Sequence, residues 1–177
     1  MRVHPLLCDA ARIFLYRQIK CSILSQRNPA LLLHRSLKER PALGAHARYL
    51  CVDFGQHGHA PKDESAALEG LEVLKSVVKL SAGVRELSIY PYGQYSAEWP
   101  VLLSTILQNT LPKLPRLESV LLHGHFDGPS IYTSEVYGYI AQAPRLQRLA
   151  LTGNLGEDWH RAAGPMNPSV SWTNIWV

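Results

Sequence analysis

The residues with the clearest capacity for chemistry are two closely spaced histidine pairs, His57-Gly58-His59 and His123-Gly124-His125. Imidazole beside carboxylate is a familiar zinc ligand set, and Asp53 and Asp127 lie near these pairs in the chain. On an extended segment, residues i and i+2 point the same way, so each pair can face one ion. This supports one functional alternative, a metal-binding or metal-dependent protein using His57, His59, His123 and His125. Two features weigh against it. The intervening glycines suggest loops, and the pairs fall on strands two steps apart, about 10 Å in a sheet. Exposed turn histidines explain the same residues, so no metal ligand is assigned.

Other chemistry is poorly supported. There is no G-x-S-x-G elbow, no phosphate-cradling glycine loop and no cysteine with a nucleophile's flanking residues. Asp158 and His160 lack a nucleophile pattern, and Glu64, Glu69 and Glu72 read as a solvated helix face. The expectation is a protein with no catalytic residues and no cofactor. Cys8, Cys21 and Cys51 are odd in number and lack metal spacing, which fits a reducing, intracellular compartment, cytoplasmic or nuclear.

The elements that position these residues follow from composition and repeats. A chain of 177 residues, 46% hydrophobic and 18% charged, suits one globular domain. No apolar run approaches 20 residues, and Cys8, Asp9 and Arg12 interrupt any leader-like stretch, so no membrane association is expected. Charge is uneven. Residues 1–50 hold nine basic and two acidic side chains, net +7, whereas the remainder holds nine basic and twelve acidic, net −3. The basic residues form no dense cluster interleaved with aromatics, so the reading is a solvated surface without nucleic-acid binding.

Two segments match closely: Pro115-Arg116-Leu117-Glu118-Ser119-Val120-Leu121-Leu122 and Pro144-Arg145-Leu146-Gln147-Arg148-Leu149-Ala150-Leu151. They share P-R-L-x-x-[VL]-x-L at an offset of 29. Weaker copies are Val84-Arg85-Glu86-Leu87-Ser88-Ile89 and Ala47-Arg48-Tyr49-Leu50-Cys51-Val52, with a fainter trace at Tyr16, Ile19 and Cys21. Leu146, Leu149, Leu151 and Asn154 spell L-x-x-L-x-L-x-x-N, the leucine-rich-repeat signature; Gly55, Tyr92 and His125 occupy the Asn slot elsewhere. Helical periodicity separates the copies at Asn28–Arg40, Asp63–Leu80, Trp99–Leu111 and Ser134–Ala143. Alternating strands and helices with long repeats predict an α/β, leucine-rich-repeat-like solenoid, short and irregular. Its parallel strands would line the concave face and its helices the convex face. A doubly wound sheet is the competitor, but the alternating strand pattern and the lack of G-x-G-x-x-G disfavour it.

The layout Cys8, Arg12, Phe14, Leu15, Tyr16, Ile19, then Asn28-Pro29-Ala30-Leu31, then the strand Ala47–Val52, resembles the fungal F-box and leucine-rich-repeat proteins. The resemblance covers most of residues 8–155 and rests on apolar spacing. It implies substrate recognition for a ubiquitin-ligase adaptor. Nothing before Cys8 supplies an F-box, so the expectation is a truncated relative or a repeat domain acting alone. A remnant without independent function is a further alternative.

The organisation read from the chain is a lead-in over residues 1–27, degenerate repeats over 28–155 and an irregular tail over 156–177 that carries Trp159, Trp172 and Trp176. Pleating sends the repeat leucines inward and the intervening residues onto the concave sheet. Those residues are Tyr49, Cys51, Asp53, Glu86, Ser88, Tyr90, Ser119, Leu121, His123, Arg148, Ala150 and Thr152. Together they form the expected binding surface of a monomer for a protein partner, with Asp53, Tyr90, His123 and Thr152 in one cross-strand row.

Overall fold

The computed structural model describes residues 5–22, 29–53, 64–90, 99–123, 138–140, 143–152 and 171–175; side chains are described for 10–22, 30–53, 69–90, 104–123, 138–140 and 143–150. Helix α1 (Pro5–Arg17) runs straight into β1 (Gln18–Ser22). Helix α2 (Pro29–Glu39) and a 3₁₀ turn at Pro41–His46 lead to β2 (Tyr49–Asp53). Helix α3 (Glu64–Leu80) precedes β3 (Glu86–Tyr90). Helix α4 (Trp99–Thr110), with a 3₁₀ turn at Leu111–Lys113, precedes β4 (Ser119–His123). Residues 138–140 are helical, and β5 (Arg148–Thr152) and β6 (Ser171–Ile175) complete the described elements.

The six strands form one sheet in the order β1-β2-β3-β4-β5-β6, and every neighbouring pair is parallel. The order never reverses, so the sheet lacks the switch point that defines a doubly wound crevice. The strands anticipated at 49–53, 86–90, 119–123 and 148–152 lie at those positions. The tail differs from its reading as irregular. Ser171–Ile175 adds β6 beside β5, with Leu149 opposite Trp172. A parallel edge strand needs only backbone pairing, which a 3.6-residue periodicity search does not register.

Local chemistry explains the element ends. Pro29 opens α2 and Pro100 stands second in α4, where a missing N–H costs nothing. Pro41 follows Arg40 and prevents α2 from continuing. Helix α3 buries Leu71, Leu74, Val77 and Val78 at helical spacing against Leu50, Val52, Leu87 and Ile89 from the sheet. Val120, Leu122 and Leu149 extend the same core. The side chain of Leu151, also expected inside, lies outside the described residues.

Each described repeat enters its strand through the same turn. The amides of Ala47, Val84, Leu117 and Leu146 donate to the carbonyls of Gly44, Ser81, Leu114 and Ala143, three residues earlier. Both ends of each turn are buried. The turn therefore anchors the first apolar residue of the repeat and fixes where the strand begins. At the first such turn, a Cβ on Gly44 would stand 1.8 Å from the Leu80 carbonyl oxygen. Only glycine lets this turn approach the end of α3 so closely.

Candidate interaction surface

The sheet has one closed face and one open face over its described part. On β2, β3 and β4 the second and fourth residues are buried, whereas the first and third are half-buried or exposed. Tyr49, Cys51, Glu86, Ser88, Tyr90, Ser119, Leu121, His123 and Arg148 all stand on the open side, as the repeat pattern anticipates. Tyr49 and Tyr90 are each 39% exposed.

Two expected members of that face are covered. Asp53 retains only 7% exposure, because Lys20 from β1 folds over it with Nζ 3.1 Å from Oδ2. The hydrogen bond and charge of Asp53 raise the Lys20 pKa above its ordinary range. Ala150 is also buried, level with Leu121 on β4. The Thr152 side chain lies outside the described residues, although its backbone pairs with His123.

Near the carboxyl ends of the strands, register places Ser22 beside Asp53 and Asp53 beside Tyr90. The Tyr90 and His123 rings stack, centroids 3.8 Å apart and planes 12° apart. Burial lowers the His123 pKa and raises that of Tyr90, favouring the neutral form of each. Cys51, half-buried in the middle of the face, has a raised thiol pKa from burial, offset in part by Lys20. Cys21 faces the core, where burial pushes its pKa up to about 12. Neither thiol has the depressed pKa of a nucleophile.

The metal alternative gains no geometry. Among the described residues no three His, Cys, Asp or Glu side chains gather as a metal site. His57, His59 and His125 lie outside the described residues, and His123 is engaged with Tyr90. No described helix is long and apolar enough to cross a membrane.

At the opposite ends of the strands lies a feature that repeat-face reasoning missed. Arg17, Arg48, Arg85, Glu118 and Gln147 occupy the position immediately before β1 to β5. Successive backbone bonds stack them: the Arg48 amide donates to Arg17 O at 2.8 Å, Arg85 to Arg48 O at 2.9 Å, Glu118 to Arg85 O at 2.7 Å and Gln147 to Glu118 O at 2.8 Å. Arg85 Nη1 also meets Glu118 Oε1 at 3.3 Å. The first four of the stacked residues, Arg17, Arg48, Arg85 and Glu118, bound an open cleft of about 510 Å³ together with Ile13, His46, Tyr49, Glu86 and Ser119. Aligning A-R-Y-L with V-R-E-L shows the arginine column in the sequence; that the column continues to Arg17 becomes visible only through strand pairing.

The chain matches no known protein family, no curated protein and no solved structure.

Proposed function

We propose that the chain is a protein-interaction module, built as a short and irregular leucine-rich-repeat-like solenoid that binds through its open sheet face. The strictly sequential parallel order supports this architecture, since each repeat adds one strand beside the last. The observation that carries the function is the open face itself. It presents the exposed Tyr49 and Tyr90, with His123 stacked on Tyr90, while the opposite face supplies the core. Rigid aromatic groups on a preformed sheet contribute contact area with little entropy left to lose. Within this reading, the likeness to fungal F-box and leucine-rich-repeat proteins points to substrate recognition for a ubiquitin ligase.

The test compares wild-type protein with Tyr90→Ala in affinity capture with quantitative mass spectrometry. A partner recovered by wild type and depleted at least about ten-fold by Tyr90→Ala, a loss of about 1.4 kcal/mol, supports the reading. Equal recovery by both proteins, with both folded, places the binding surface elsewhere.

A further inference from the structure

We propose that the cleft at the entry ends of β1–β4 seats an acidic peptide segment of a protein partner, with its carboxylates held by Arg17 and Arg48. This inference rests on the protein-binding reading and adds the chemistry of the partner.

Arg48 is the central group. Its Nη1 donates to three backbone carbonyls, Ala45 at 2.8 Å, Ala47 at 3.0 Å and Gly83 at 3.2 Å. Those bonds fix the guanidinium before any ligand arrives, whereas a free arginine would lose much rotamer freedom on binding. Its Nε and Nη2 donors make no hydrogen bond among the described residues. The three donors left on Nε and Nη2 lie in one plane, an arrangement that suits a carboxylate. One step along the stack, Arg17 is exposed and makes no ion pair among the described residues. Neighbouring strands are about 4.8 Å apart, so the two side chains are rooted at a spacing that adjacent acidic groups can span.

The cleft is polarised along the sheet. Arg17, Arg48 and His46 mark the β1–β2 end, whereas Glu86 and the Arg85–Glu118 pair mark the β3–β4 end. The two glutamates penalise a dianionic phosphate more than a single carboxylate, which favours an acidic peptide over a phosphate-dense ligand. Tyr49 and Ile13, 39% and 46% exposed, add apolar wall that a peptide side chain can cover. The surplus of positive charge in residues 1–50 steers an acidic segment towards this end of the sheet.

The probe is a fluorescein-labelled octaglutamate peptide, followed by anisotropy at low ionic strength, with octalysine, inorganic phosphate and a single-stranded RNA homopolymer as comparisons. Arg17→Gln and Arg17→Glu are the variants, because the Arg17 side chain bonds to no described residue and its loss leaves the fold intact. Arg48 is left unchanged, since it also supports the turn. The expected result is saturable octaglutamate binding that weakens with added salt. Arg17→Glu should weaken it by about five-fold or more, with Arg17→Gln intermediate. Binding unchanged in Arg17→Glu, octalysine bound as tightly, millimolar phosphate displacing the peptide at matched ionic strength, or RNA bound at lower concentration would each overturn the proposal. None of those outcomes touches the Tyr90→Ala comparison, so the two readings fail separately.

Discussion

Tyr90 and His123, 33 residues apart in the chain, lie ring over ring on the open face of the sheet, with centroids 3.8 Å apart. Parallel pairing of β3 with β4 brings them level, because Ile89 stands beside Leu122 one residue earlier. An aromatic pair of this kind contributes about 0.5–1.5 kcal/mol beyond its buried area. The pair is thus a stable part of the surface and a measurable one.

The first prediction separates the two faces of β3. Leu87 is fully buried and Tyr90 is exposed, three residues later on the same strand. Leu87→Ala should cost about 2–5 kcal/mol in urea denaturation, the range for a core leucine with its cavity. Tyr90→Ala should cost clearly less than Leu87→Ala: about 0.5–1.5 kcal/mol for the lost stacking, plus the smaller burial of a side chain that is 39% exposed. Equal losses would mean that the strand register is wrong by one residue.

A second prediction concerns pH. Burial lowers the His123 pKa below the ordinary 6.5, so the unfolded chain takes up a proton more readily than the folded one. Where the unfolded state binds more protons, stability rises with pH. The contribution of His123 is therefore complete above pH 6.5 and is lost as pH falls below that value towards the folded pKa. Thermal melts at pH about 7.5 and about 5.5 should show this loss in wild type, reduced in His123→Phe, which keeps a flat ring over Tyr90 and cannot titrate. A nuclear magnetic resonance titration of His123 giving a pKa above 6.5 contradicts the burial argument directly.

The third prediction addresses Arg48. Its guanidinium ties the turn before β2 to the Gly83 carbonyl in the turn before β3. Replacing it by Met keeps the aliphatic stem and leaves those carbonyls without the charged donor. The expected loss is about 1.5–3 kcal/mol, the range for hydrogen bonds to a charged group. Lysine should restore only part of this, since an ammonium lacks the planar fork. A calorimetric melting point for Arg48→Met equal to wild type would falsify the clamp.

What the sequence determined by itself was the repeat and its facing. The spacing of Leu87 and Ile89, of Val120 and Leu122, and of Leu149 and Leu151 specifies strands with one apolar side, because side chains alternate with a period of two. Helical periodicity around Leu71, Leu74, Val77 and Val78 likewise specifies α3 and its inward stripe. Local pattern is enough for such features, since each is a property of a short run of residues.

Tertiary structure alone decided which residues become neighbours. Asp53 reads as an exposed strand residue until Lys20, 33 positions earlier, is laid across it by β1–β2 pairing. Arg17, Arg48 and Arg85 are three scattered basic residues until the backbone bonds between repeats stack them. Ser171–Ile175 has no repeat signature, yet it pairs with β5 because an open sheet edge offers donors and acceptors to any extended segment that reaches it. Burial, ion pairing and charge clustering depend on distances across the sheet of about 4.8 Å per strand, and those distances follow from register, which the linear order of residues does not state.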